Sequence, residues 1–233
     1  MTRPDWFIDE LSRAGSEHLE SEYVATYDQK AATDPTGDLD ILRGRYGLGD
    51  RTVLVDMGAG TGTFALAAAE YCRRVIAVDV SAQMLDVLRR KIEASQIASV
   101  ETVEAGFLSY EHLGEPADIV YSRHALHHLP DFWKALALKR VRDMMRPGGV
   151  FMLRDLIFSF DVGEAEERID AWLDAAAASP DLGWTRAELA THLAEEFSPF
   201  SWLLEPMLEQ AGFRIDDVIH HGAIHSTYLC IRT

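Results

Sequence analysis

Apolar residues along this chain gather into short unbroken runs, separated by longer stretches of mixed polarity. Val53-Leu54-Val55, Val75-Ile76-Ala77-Val78, Ile119-Val120-Tyr121 and Val150-Phe151-Met152-Leu153 are the clearest runs. Such runs read as parallel strands buried on both faces. Val100 to Glu104 adds a weaker strand. Between them, Thr63 to Ala69 reads as a helix, and Ser81 is placed to cap another that runs through Met84 and Leu85. Asp131 to Met145 reads as a third, ended by Arg146-Pro147-Gly148-Gly149, which cannot continue it. The alternation predicts an α/β domain. Upstream, residues 5–30 read as helical, with Tyr23 and Tyr27 four apart on one face. Asp34-Pro35-Thr36-Gly37 marks a break, and residues 38–46 a second short helix. The pattern predicts a single domain over 1–233, with an N-terminal helical cap over about 1–46 and a helical insertion over about 160–200.

The first strand runs into Asp56-Met57-Gly58-Ala59-Gly60-Thr61-Gly62 and then a helix. Glycines permit positive φ and let a ligand approach the backbone, and a helix N-terminus behind them favours an anionic group. The dinucleotide fingerprint Gly-x-Gly-x-x-Gly does not fit, because Gly62 comes one residue early. Seventeen residues after Gly62, the second strand ends in Asp79, whose carboxylate can accept two hydrogen bonds from a ribose diol.

With Asp56 before the loop and Asp79 after it, the chain resembles the class I S-adenosylmethionine-dependent methyltransferases. The resemblance implies a Rossmann-like, doubly wound sheet of seven mostly parallel strands in the order 3-2-1-4-5-7-6, strand 7 antiparallel. Arg214–His220 and Ser226–Arg232 fit the final antiparallel pair, and Pro206–Ala211 the end of the helix before it. It also implies that Asp56, Gly58, Ala59, Gly60, Thr61 and Gly62 hold the amino-acid end of S-adenosyl-L-methionine, with S-adenosyl-L-homocysteine as product, and that Asp79 holds the ribose. Many relatives place an Asp after strand 3 to bind the adenine amino group; Gly106 stands there in this chain. Adenine is then expected to rest on the backbone N–H of Phe107 and on Val80 and Met84. Tyr27 and Ser122 are further expected cofactor contacts.

Ser122-Arg123-His124-Ala125-Leu126-His127-His128-Leu129-Pro130-Asp131 resembles the small-molecule branch of the family, and Glu195-Glu196-Phe197-Ser198 resembles uncharacterised bacterial members of it. The Asn-Pro-Pro-Tyr of nucleic-acid amino-group methyltransferases does not occur. His124, His127 and Arg154 are the candidate catalytic residues. His127 and His128 can supply a general base or simply brace the loop. Arg154 and Asp155 can orient a substrate or form a structural ion pair. No metal site is expected, because the loop histidines lack matching carboxylate–histidine spacing. Residues 160–200, with Trp172, Trp184 and Glu195-Glu196-Phe197, can form a substrate lid or a packed elaboration. Tyr23, Tyr27 and Asp28 can close over the site or pack their helix. His220, His221 and His225 read as mostly structural.

The expected function is methyl transfer to a small-molecule acceptor by in-line displacement. Methylation of a protein or RNA, or a non-catalytic module that binds the cofactor or its product, are the alternatives. A net charge of −16 opposes nucleic-acid binding. No run is long enough to span a membrane, and Met1–Trp6 carries no signal-peptide pattern. Two cysteines, Cys72 and Cys230, are expected reduced and buried, which favours a cytoplasmic setting and leaves a homodimer open.

Overall fold

A computed structural model describes residues 4–14, 27, 28, 30 and 34–233. Its seven-stranded sheet comprises β1 (Val53–Met57), β2 (Arg74–Asp79), β3 (Val100–Glu104), β4 (Ala117–Arg123), β5 (Met145–Leu156), β6 (Phe213–His221) and β7 (His225–Arg232). The order is β3-β2-β1-β4-β5-β7-β6. The first five strands pair in parallel, while β7 runs antiparallel to both β5 and β6. This is the order implied by the resemblance. The pattern alone could not give it, because periodicity is silent on which strands are neighbours.

Helices cover both faces, as a sheet without a polar face requires. On one side α1 (Thr36–Tyr46), α2 (Thr63–Ala68) and α3 (Ala82–Ser95) pack Leu42, Phe64, Leu85 and Leu88 against Leu54, Val75 and Tyr121. On the other, α4 (Asp131–Met144) and α7 (Ser201–Gln210) pack Leu138, Val141, Leu204 and Leu208 against Val55, Val120 and Phe151. Ser81 caps α3 as expected, its hydroxyl accepting the Met84 N–H at 3.2 Å.

β5 begins at Met145, not Val150, so the Pro-Gly-Gly segment lies inside the strand. A register shift between Ala117 and Ile119 accommodates it. Residues 5–14 correct the expectation of a helix over 5–30: they form turns and a single 3-10 turn, Leu11–Arg13. The Leu11 N–H donates to the Asp9 side chain instead of to a main-chain helix partner, and Glu10 is buried. Residues 27, 28 and 30 are helical; Tyr23 lies outside the described residues.

Between β5 and α7 the chain makes an excursion carrying α5 (Ala165–Asp174) and α6 (Arg186–Glu195). Its base is pinned. The Phe158 N–H donates to Pro199 O (3.0 Å), the Ser201 N–H donates to Phe158 O (2.9 Å), and Phe158 bridges Phe200. Thr185 caps α6, and Glu188 completes the reciprocal box.

Candidate active site

The C-terminal ends of β1, β2 and β4 open into a cavity where ligands bind in open parallel sheets. Gly58, Gly60 and Gly62 all have positive φ (75°, 53° and 84°). Two of these glycines answer to packing as well. A Cβ on Gly58 would lie 2.3 Å from the Cβ of Ala125, and one on Gly62 would lie 2.1 Å from Leu88 Cδ1. Only Gly58 and Gly60 of the loop line the cavity. Ala59 and Thr61 shape the turn instead. Ala59 O accepts the Gly62 N–H at 2.9 Å, and the Thr61 hydroxyl donates to Asp28. Lys91 adds bonds to Asp28 (2.5 Å) and Thr61 O (3.0 Å), tying Asp28 to the loop.

Asp79 Oδ2 accepts the Gly60 N–H and Oδ1 the Ser81 N–H, both at 2.8 Å, which fixes the carboxylate with lone pairs to spare. Asp56 is buried, and its Oδ2 has no hydrogen-bond partner. Burial, then the charge of Asp79, pushes the Asp56 carboxyl up to about 8. Burial also raises Asp79. A cation seated between these carboxylates would relieve both effects. Asp79 in the cavity lining and the unbonded Asp56 oxygen behind it therefore fit a cofactor with a ribose and an ammonium group. Val80, Met84, Gly106 and Phe107 line the same cavity, as does Tyr27. Burial, then Asp79, lifts the Tyr27 phenol to about 12, so it stays protonated.

Ser122 lies elsewhere: it lines neither cavity of the site, and its buried hydroxyl has no partner.

Sequence reasoning missed Glu10. Its Oε1 accepts the Leu108 N–H and its Oε2 the Ser109 hydroxyl, each at 2.9 Å. A Cβ on Gly106 would lie 2.4 Å from Glu10 Oε1. A side chain at position 106 would therefore collide with Glu10, which lines the same cavity.

A second cavity of about 520 Å³ adjoins the first, and Tyr27, Arg123, His124 and His128 line both. Trp172, Leu182, Trp184 and Leu189 of the excursion form its apolar wall, so this segment covers the site. Glu188 and Trp184 of this wall are held by Lys30, which pairs with Glu188 and lies over the Trp184 ring at 4.8 Å. His124 projects between the cavities from a backbone with φ of 50°, a strained value for a residue with a Cβ. Its Nδ1 is buried without a hydrogen bond, and its ring meets His225 edge-on at 5.5 Å. Burial holds its pKa well below the usual range, so it is neutral.

His127 does brace the loop: its backbone N–H donates to Asp155 Oδ2 (3.1 Å) and its O accepts the Phe197 N–H (2.9 Å). Its ring also joins a network. Nδ1 bonds Asp155 Oδ1, and Nε2 lies 2.9 Å from Glu196 Oε2. Burial disfavours charge on this ring, but Asp155 and Glu196 outweigh it and push the pKa up to about 9. Burial opposes charge on Asp155 and Glu196 too, yet His127 holds both well below the usual carboxylate range.

The expected Arg154–Asp155 pair does not form. Side chains alternate along a strand, so Arg154 faces Asp38 (3.0 Å) while Asp155 faces His127. Arg154 lines neither cavity of the site. His225, read as structural, lines the second cavity; His220 and His221 bond Ser226 and Thr227 at 2.9 Å.

Comparison with known proteins gives a consistent picture. The methyltransferase domain family matches residues 54–149. The uncharacterised protein YafE of Escherichia coli is 28% identical over 152 residues, which is 65% of this chain; the chain thus spans just under two thirds of YafE, also 65%. An uncharacterised methyltransferase of Oceanobacillus iheyensis is 24% identical over 70% of this chain and 69% of its own. Magnesium protoporphyrin IX methyltransferase from Synechocystis, crystallised with S-adenosylmethionine, shares the fold. Its TM-score is 0.67 at 11% identity, over 99% of this chain and 100% of that one.

Proposed function

We propose that the chain, whose residues 54–149 match the methyltransferase domain family, is a class I S-adenosylmethionine-dependent methyltransferase that methylates a small-molecule acceptor held in the second cavity. One observation carries this reading: the two cavities share Arg123, His124, His128 and Tyr27, so an acceptor in the second abuts a cofactor in the first. The tryptophan-lined wall suits a small organic molecule better than a polymer. The relative from Synechocystis is named for magnesium protoporphyrin IX, also a small molecule.

Asp56 receives the ammonium group, Asp79 the ribose, and Phe107, Val80 and Met84 the adenine, with Glu10 accepting from its amino group. The cofactor supplies an electrophilic methyl on a sulfonium, so the protein's main task is alignment and exclusion of water. His124, neutral and unbonded at Nδ1, stands at the junction as a proton acceptor for the nucleophile. Two buried thiols, Cys72 and Cys230, suit a reducing cytoplasm. Among the described residues no helix is long and apolar enough to cross a membrane.

The test is incubation with methyl-deuterated S-adenosylmethionine and a bacterial extract divided into small-molecule, RNA and protein fractions. Label in a small molecule, lost in His124→Ala, supports the proposal. Label confined to RNA or protein overturns it.

A further inference from the structure

Three side chains converge on one wall of the second cavity: His127 from the loop after β4, and His192 and Glu196 from the end of α6. One donor atom of each lies within 4.8 Å of the others. Glu196 Oε2 is 2.9 Å from His127 Nε2, in contact with His192 Nδ1, and 3.9 Å from His128 Nδ1. Yet this buried oxygen makes no hydrogen bond of acceptable geometry. Asp155 meanwhile bonds the far nitrogen of the His127 ring. A histidine that gives its Nδ1–H to a carboxylate turns the Nε2 lone pair forward, the arrangement that outer carboxylates impose on metal-bound histidines. That nitrogen then faces the Glu196 carboxylate, and either the proton of a charged imidazole or a metal ion can lie between them. A proton satisfies one pair; an ion satisfies all three groups at once.

We propose that His127, His192 and Glu196 form a binding site for a divalent first-row transition ion, with Asp155 orienting His127. Two imidazoles and one carboxylate suit zinc, cobalt, iron or manganese rather than magnesium or calcium. Three protein ligands leave coordination positions open, as in catalytic rather than structural sites, and these face the cavity. His192 lies in the last turn of α6 and Glu196 is the residue just past it, so one helix end supplies two ligands.

The acceptor it selects is a hydroxyl- or phenol-bearing molecule, and this part rests on the methyl-transfer reading. Bound to the ion, the acceptor O–H loses its proton to water more readily. The oxygen then bonds the methyl carbon, while the carbon–sulfur bond breaks with its electron pair left on sulfur. The products are a methyl ether and a neutral thioether; no oxidant or reductant is needed.

The experiment uses the full chain, free of any polyhistidine tag and stripped with chelator. Zn²⁺ binding is measured by equilibrium dialysis, and Co²⁺ binding by its visible d–d absorption. One ion per chain is expected, with affinity reduced at least about 100-fold in His192→Ala and Glu196→Gln. Asp155→Asn should weaken it about 10–100-fold, the usual effect of removing an outer carboxylate. S-adenosylhomocysteine binding by the same samples reports folding and tests the cofactor site separately. Protein that binds S-adenosylhomocysteine but no ion, or binds the ion equally well in both ligand variants, overturns the metal site while leaving the methyltransferase reading intact. Ion binding without S-adenosylhomocysteine binding does the reverse.

Discussion

Asp56 and Asp79 end neighbouring strands with their charges barely compensated, and this sets two proton linkages. The Asp56 carboxyl sits at about 8 in the folded protein against an ordinary value of 3.8. A raised acid stabilises the fold below its unfolded value and loses that contribution as pH rises through the folded one. The thermal midpoint of the cofactor-free protein should therefore fall between about pH 4 and about pH 8, with a shallower slope in Asp56→Asn. An incoming ammonium group favours the ionised form, so cofactor binding near neutral pH should expel protons. Calorimetry in buffers of different ionisation enthalpy will detect this in the wild type, and Asp56→Asn should abolish it. Glu10 gives a prediction of another kind. If its carboxylate accepts from the adenine amine, Glu10→Ala should weaken S-adenosylhomocysteine binding about 10-fold, the scale of one hydrogen bond to a charged group. The inosine analogue, which lacks that amine, should bind both proteins alike. Equal loss for both ligands would mean that Glu10 only props the loop at Leu108 and Ser109.

The elements that local pattern could specify are those the sequence revealed. Val53–Val55 and Val75–Val78 announce buried strands because every residue in them meets a helix on one face or the other. Ser81 announces the start of α3 because a cap acts within one turn. The glycine loop was legible as a ligand cradle, although Gly58 and Gly62 also yield to Ala125 and Leu88, which no spacing rule could foresee. What failed depended on distant partners. Residues 5–14 carry helical polarity, yet Glu10 bonds Leu108 and Ser109, far along the chain. His192, Glu196 and His225 reach the site only because the excursion and the last hairpin fold over the strand ends. The excursion itself is locally supported, and that can be measured. Thr185→Ala removes the cap of α6 and should cost about 1 kcal/mol. Hydrogen exchange should quicken in residues 186–195 and stay unchanged in β1 and β4. Equal acceleration throughout the sheet would show that α6 unfolds only with the whole protein.

At the scale of the whole molecule, charge and layout matter most. A net charge of −16 means that the compact state repels itself. Raising the salt from about 0.01 M to about 0.15 M shortens the screening length from about 30 Å to about 8 Å. The melting temperature should rise over that interval; a fall would show that attractive pairs such as Lys30–Glu188 and Arg74–Glu101 outweigh the repulsion. Layout separates the two halves of the site. None of the described residues lining the glycine-loop cavity comes from 157–200, whereas Trp172, Trp184, His192 and Glu196 of that stretch line its neighbour. The stretch also leaves and rejoins the sheet at one place, where Phe158 bonds Pro199 and Ser201. A segment stapled at its neck behaves as a cassette. On the proposed function, mutation or recombination can rewrite it, and with it the choice of acceptor, while the donor site at β1 and β2 stays untouched. A lineage built on this plan can explore new substrates without relearning how to hold its methyl donor.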